Sequence, residues 1–298
     1  ALRTEHFKQI GPFDTRYTPA YYEDTDLAFR MREAGLKVLV QPASTVIHHE
    51  GITSGTDTSS GTKQYQLVNQ EKFVERWETE LQSQPAVVDN KDDRRALRSA
   101  CLHRAEGRIL FIDASTPEPD KSSDCLRMSH LLNCCRELGY DITFFADNRN
   151  YAGPYTRNLQ KAGIEVLYRP WLDSLQEFFR NRGADFDYIF ISRHDVATNY
   201  ISLIKRYCPD IHFIFDTVGL HYLREQQLAD RKQRLPLKRT AQQTRRSELS
   251  VIKAADATLV VSHVEKEILE KDAPGEKIHV ISVDVAKDNL ASLFDSFA

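Results

Sequence analysis

The densest reactive chemistry in this sequence is the run Tyr21-Tyr22-Glu23-Asp24-Thr25-Asp26-Leu27, with three carboxylates in four residues. Such charges repel one another unless something stabilises them, and the free N–H groups at a helix start do so. Two uses follow. Glu23 or Asp24 caps the helix, or the pair supplies a general base near a metal or a sugar hydroxyl. Further along, His48 and His49 precede Glu50-Gly51 and a Gly/Ser/Thr loop over 51–61. A histidine pair at a strand end beside such a loop suits a metal or phosphate site. A second set of polar residues follows apolar runs later in the chain: Asp120 and Arg127 after Asp113, then Arg193, then Asp216, His221, Arg224 and Glu225.

The chain that must position these groups has 298 residues, enough for about two domains. Apolar residues make up 41% and charged residues 28%, an ordinary globular composition that excludes disorder, collagen and coiled coil. Lys plus Arg is 40 against 43 for Asp plus Glu, a formal charge of −3. A near-neutral chain has no global field for nucleic acid. No apolar run approaches the roughly 18–20 residues that cross a bilayer. The N-terminus lacks an apolar signal-peptide core. The five cysteines form no Cys-x-x-Cys pair and read as reduced thiols of a cytosolic protein.

Texture changes once, over 84–106, a polar, charge-rich linker with a short helix from about Arg94 to Leu102. Before it, residues 1–83 predict a helix over Asp24–Ala34 closed by Gly35, strands at Lys37–Val40 and Thr45–Ile47, and a helix over Lys63–Leu81. So short a segment makes an incomplete core, the back end of a larger domain. After it, residues 107–298 alternate strands and helices. Strands are expected at Arg108–Asp113, Asp141–Ala146, Glu165–Tyr168, Tyr188–Ser192, His212–Asp216, Ala257–Ser262 and Lys277–Ser282, with one long helix over Leu220–Ala254. Runs such as Ile109–Ile112 and Tyr188–Ile191 are apolar on both faces, as strands of a helix-covered parallel sheet are. The expected fold is α/β, a Rossmann-like doubly wound parallel sheet, with ligands at the carboxyl ends of its strands. The loop after the first strand is neither Gly-x-Gly-x-x-Gly nor a P-loop, and Ser122 and Ser123 there also read as helix caps. The last stretch, 284–298, is a short amphipathic helix.

Two resemblances to known families add to this reading. The stretches Phe7–Asp14, Pro19–Arg30, Arg32–Gly35, Gln41–Ala43 and His48–Gly51 resemble the C-terminal half of a family 2, GT-A-fold glycosyltransferase. That resemblance implies that Asp24, beside Glu23, is the catalytic base and that His48, or His49 as second choice, ligates a divalent Mn or Mg ion of the complete GT-A domain. It places Asp14 and Asp26 near the substrate. Gly11-Pro12-Phe13-Asp14 has one glycine fewer than the family's loop, and Phe73-Val74-Glu75-Arg76-Trp77 lacks the Gln of processive members. Residues 107–285 resemble the N-terminal domain of GT-B, family 4-type glycosyltransferases. The stretches that carry this include Ile109–Asp113, Glu137–Phe144, Ser192-Arg193 and Phe215–Glu225. By this resemblance Asp120, Arg127, Arg193, Asp216, His221, Arg224 and Glu225 are candidates for substrate binding. Asp124 stands where that family usually has glycine, and Gly219 where it has aspartate.

Together the resemblances imply a fragment of a tandem glycosyltransferase. It would take a nucleotide-sugar donor and a glycan or lipid-linked glycan acceptor in surface polysaccharide synthesis. The expected setting is cytoplasmic, out to the inner face of the membrane. Both donor-binding halves are expected to lie outside this chain. The competing expectation is a non-catalytic, truncated or degenerate module that presents a surface to a glycan or a protein. A flavodoxin-like regulatory domain is disfavoured, because no phosphoacceptor pattern surrounds Asp113.

Overall fold

The computed structural model describes residues 2–36, 38, 45–47, 61–90 and 92–297. They form two compact units, Ala1–Val87 and Val88–Ala298.

The described part of the first unit is helical: α1 (Thr4–Ile10), a 3-10 turn at Thr15–Tyr17, α2 (Glu23–Glu33), α3 (Gln64–Arg76) and α4 (Glu78–Gln82). Gly35, at φ +75°, follows the end of α2 in the conformation a glycine takes at least cost. The helix expected over Lys63–Leu81 is divided at Trp77, whose backbone leaves the helical region. Tyr17, Phe73 and Trp77 form a small aromatic core with Tyr22 and Phe29 packed on it. The Phe29 ring lies 5.1 Å from Phe73 and 5.3 Å from Trp77. Of the two expected strands, Lys37–Val40 falls almost wholly outside the described residues. Thr45–Ile47 is exposed and pairs with no described strand.

The second unit opens with α5 (Arg94–Cys101) and then alternates as the apolar runs demand. In order it has β1 (Arg108–Asp113), α6 (Ser123–Glu137), β2 (Asp141–Ala146), α7 (Pro154–Lys161), β3 (Glu165–Leu167), α8 (Leu175–Arg182), β4 (Tyr188–Ser192) and α9 (His194–Tyr207). There follow β5 (His212–Asp216), α10 (His221–Lys232), α11 (Leu235–Ile252), β6 (Ala257–Val260), α12 (His263–Asp272), β7 (Ile278–Val280) and α13 (Lys287–Asp295). All seven strands pair in parallel, in the order β3-β2-β1-β4-β5-β6-β7. This is the Rossmann-like, doubly wound α/β fold, and the order reverses between β1 and β4.

Successive strand residues point to opposite faces, and both faces are covered. Leu110, Ile112, Ile189, Ile191, Phe213 and Phe215 pack with α8, α9 and α11. Ile109, Phe111, Phe190 and Ile214 pack with α6 and α13. Phe111 and Phe190, neighbours in the β1–β4 ladder region, stack at 4.7 Å. The final amphipathic helix thereby gains its role: Leu290, Leu293 and Phe294 of α13 complete the second core.

The long helix expected over Leu220–Ala254 is two helices. Gln233 turns left-handed (φ +48°), Arg234 is extended, and Pro236 opens α11, where its missing N–H costs nothing. At the amino edge of the sheet, Arg98 of α5 reaches Glu165 of β3 at 3.1 Å, and Arg182 reaches the same carboxylate at 2.7 Å. Burial alone would push Glu165 up, but Arg182, Arg98 and the Thr143 hydroxyl hold it at about 2. The five cysteines are free thiols.

Candidate functional site

In the first unit the acidic run is built on an unusual entry into α2. Tyr21 (φ +77°) and Tyr22 (φ +73°) are both left-handed, a costly arrangement for two side-chain-bearing residues. The turn they make sets Glu23, Asp24 and Asp26 in the first turn of α2. A helix advances about 100° per residue, so Asp24 and Asp26 face opposite ways.

Asp26 goes inward and is fully buried. Its Oδ1 accepts from the Tyr17 hydroxyl at 3.1 Å and from Trp77 Nε1 at 2.9 Å, with Arg76 Nη1 at 3.0 Å. Its Oδ2 accepts from Arg30 Nε at 2.9 Å. Arg30 in turn donates to the carbonyls of Ile10 and Pro12. Both oxygens of Asp26 are engaged by protein, so the carboxylate organises the unit. Burial and the Asp26 charge push the Tyr17 phenol up to about 12.

Asp14 caps the Thr15–Tyr17 turn by accepting from the Arg16 N–H at 2.9 Å, and it pairs with Arg76 at 2.8 Å. The Arg16 N–H and the two guanidiniums hold its carboxyl below the usual range. Asp24 is different. It is exposed, and among the described residues its one hydrogen-bonding neighbour is Thr25, whose N–H donates to Oδ1 at 2.7 Å and whose hydroxyl lies at 3.3 Å. Glu23 keeps Oε2 shielded from water with no hydrogen-bond partner among the described residues. His48 and His49 lie outside the described residues. Among the described residues no three His, Cys, Asp or Glu side chains stand in metal-holding geometry.

In the second unit the candidates gather at the carboxyl edge of the sheet, beside the β1/β4 reversal. Asp113 ends β1 and is 5% exposed. Its Oδ1 accepts from the Ala114 N–H at 2.7 Å and from Arg193 Nε at 3.1 Å. Burial pushes Asp113 up to about 6, with Arg193 opposing. Arg193 sits left-handed (φ +73°) ahead of α9, and its N–H donates to the Asp216 carbonyl at 3.0 Å. Its guanidinium also reaches Asp124 Oδ2 at 3.3 Å. Burial disfavours that cation, but the two carboxylates more than offset it. Two carboxylates against one guanidinium leave no attraction for a phosphate at this helix start. They leave hydrogen-bond acceptors suited to hydroxyl groups.

Arg127 and Asp216 are each 1% exposed and pair at 2.8 Å. Arg127 Nη1 also donates to the carbonyls of Ile281 and Ser282, and the Ser192 hydroxyl reaches Asp216 Oδ2 at 3.3 Å. This knot ties α6, β4, β5 and the end of β7 together and is closed to a ligand. Asp120 lies apart, exposed on the β1–α6 loop, accepting from the Tyr155 hydroxyl at 3.0 Å.

The β5–α10 loop brings the remaining candidates together. Gly219 has φ +113°, and a Cβ there would stand 2.5 Å from an Arg224 nitrogen. An aspartate would be strained at this position. His221 opens α10, and its ring stands 5.3 Å from that of His194, edge to face. Glu248 of α11 caps α10 from beneath, accepting from the N–H groups of His221 and Tyr222 at 3.0 Å each. His194 Nδ1 lies 3.7 Å from Glu248, buried and without a hydrogen bond among the described residues. Glu225 Oε2 is likewise buried without a partner among the described residues, and Arg224 is exposed. Burial pushes both imidazoles down and Glu248 up to about 7. Neutral imidazoles beside a carboxyl that titrates near neutrality can exchange hydrogen bonds with a polyol. Sequence reading missed Asp113, His194 and Glu248. His194 directly follows the flagged Arg193, whereas nothing in the Arg-rich stretch around Glu248 marks it.

No family model matches the chain. It is 39% identical over 59 residues to an N-acetylglucosaminyl-diphospho-decaprenol L-rhamnosyltransferase of Mycobacterium tuberculosis, found in two strains. That stretch is 20% of this chain and 19% of the relative, so the chain matches about a fifth of the relative's length. Among solved structures, sucrose-phosphate synthase from Thermosynechococcus elongatus is 10% identical with a TM-score of 0.40, over 59% of this chain and 48% of that one. A sugar kinase from Pyrococcus horikoshii is 13% identical with a TM-score of 0.34, over 58% of this chain and 68% of that one. Likenesses this distant bear no weight, and the fold rests on the sheet itself.

Proposed function

We propose that this chain is part of a glycosyltransferase that moves a sugar from a nucleotide-sugar donor to a glycan or lipid-linked glycan acceptor. The observation that carries this reading is the division of labour within one acidic run. Asp26 is consumed by the scaffold, while Asp24, two residues earlier, stays open at a helix start. The partial identity to a rhamnosyltransferase supports it. In this reading the first unit is the C-terminal part of a GT-A-type module and the second the acceptor half of a GT-B-type module, in polysaccharide synthesis at the cytoplasmic face of a membrane.

Asp24 takes the proton of the acceptor hydroxyl as that oxygen attacks the anomeric carbon. The bond from that carbon to the donor phosphate breaks, the nucleoside diphosphate leaves with the electron pair, and the configuration inverts. In the second unit Asp113, Arg193, His194 and His221 hydrogen-bond sugar hydroxyls and orient the acceptor. A divalent ion on His48 or His49 belongs to the same proposal, tested by Mn²⁺ titration of His48→Ala.

A second reading, a glycan-binding module without transfer, is favoured by the carboxylate pair at the β1 loop, which repels a donor phosphate. Calorimetric titration of the chain with UDP-, GDP- and dTDP-sugars, with and without Mn²⁺, separates the two. Metal-dependent nucleotide-sugar binding supports transfer. Binding of glycan alone supports the second reading.

A further inference from the structure

The α10–α11 hairpin ends in a tip whose charge opposes that of the chain. Residues Asp230–Arg239 carry Arg231, Lys232, Arg234, Lys238 and Arg239 against one carboxylate, in a chain of net charge −3. That carboxylate is occupied: Asp230 pairs with Lys238 across the turn at 3.4 Å, tying the two helices. Arg231, Lys232, Arg234 and Arg239 are exposed and have no ion-pair partner among the described residues.

Two leucines at the same tip stand in water, Leu228 at 43% and Leu235 at 73% exposure. Each is followed by cations three and four residues on: Arg231 and Lys232 after Leu228, Lys238 and Arg239 after Leu235. That spacing puts leucine and cations on one helix face. The pattern occurs on both arms of the hairpin, an apolar side chain framed by positive charge. Cations alone would serve any polyanion, but the leucines narrow the choice. Nucleic-acid phosphates offer them no apolar contact, and the stretch 226–240 has no aromatic ring on which a base could stack. An anionic bilayer surface offers both headgroup charge and an apolar boundary.

We propose that the hairpin tip docks on an anionic membrane surface, with Arg231, Lys232, Arg234 and Arg239 on lipid headgroups and Leu235 and Leu228 seated at the headgroup–acyl boundary. The attachment is peripheral: among the described residues no helix is long and apolar enough to cross a membrane. It rests on this surface alone and stands whether or not the chain transfers sugars.

Co-sedimentation of the full chain with large vesicles tests it. Vesicles of phosphatidylcholine with phosphatidylglycerol should retain the protein, pure phosphatidylcholine should not, and salt should weaken retention steeply. Each cation near an anionic surface is worth about fivefold in affinity, so Arg231→Glu/Lys232→Glu/Arg234→Glu should lose about 100-fold or more. Leu235→Asn keeps every charge and, at so exposed a site, should keep the fold, yet weaken vesicle binding several-fold. Thermal melts confirm that each variant is folded. Should the triple variant fail to fold, Leu235→Asn and the salt dependence decide alone. Equal retention on neutral vesicles, or retention unchanged in the variants, overturns the proposal. So does vesicle affinity that ignores Leu235→Asn while tRNA displaces the protein, the mark of a general polyanion site.

Discussion

Trp77 Nε1 donates to Asp26 Oδ1 at 2.9 Å, joining residues 51 positions apart. That bond explains two local features at once. It draws Trp77 out of helical geometry and so ends α3, and it fixes which carboxylate of the acidic run faces inward.

Removing the inward charge should therefore loosen the first unit. Asp26→Asn leaves Arg30 and Arg76 with a neutral partner, and breaking a buried pair costs about 3–5 kcal/mol. Urea unfolding followed by Trp77 fluorescence, in a Trp171→Phe background, reads this directly. Trp171 is exposed, so its replacement is harmless. An unchanged midpoint would remove Asp26 from the centre of the unit.

Asp24→Asn should do the opposite. Transfer by the complete enzyme should fall by about 10²–10⁴-fold, the usual worth of a positioned base. Stability should stay within about 0.5 kcal/mol, as for other exposed substitutions. A variant that transfers at the wild-type rate excludes Asp24 as the base.

Arg193→Met tests the carboxyl edge through pH. Asp113 is raised from 3.8 to about 6, so its contribution to stability is full below 3.8 and declines as pH rises through about 6. Without Arg193 the carboxyl rises further and the decline extends to higher pH. The stability lost by the variant should be larger at about pH 8 than at about pH 5 in paired urea titrations. A loss independent of pH would mean that Arg193 does not act on Asp113.

Glu248→Gln carries a related sign. Burial raises Glu248 from 4.5 to about 7, so wild-type stability should fall relative to this variant as pH climbs from 4.5 through about 7. His194 and His221 are lowered and act in the opposite sense; both proteins contain them, so only the coupling of His194 to the carboxyl 3.7 Å away stays in the difference. Parallel stability curves across that range would place the titration elsewhere.

The parallel sheet was legible because its strands are apolar on both faces and short. The acidic run was legible as a helix start, and a two-residue spacing already sends Asp24 and Asp26 to opposite faces once the helix is placed. Which one turns inward depended on Trp77 and Tyr17, distant partners that no local pattern reveals. The hairpin break at Gln233 and Pro236 escaped a reading that took 220–254 as one long helix. Glu248 was invisible because its importance comes from lying under the first turn of α10, a placement set by the fold-back at Gln233.

The Arg127 knot also has a consequence in time. Its guanidinium is buried against carbonyls about 154 residues further along the chain, at Ile281 and Ser282. At ribosomal rates of about 5–20 residues per second, those carbonyls follow Arg127 by roughly ten to thirty seconds. Until they emerge, a cation destined for the interior has no complete set of acceptors. A nascent chain carrying β1 through β6 therefore holds α6 in waiting, and its native packing follows the emergence of β7 and the two residues after it.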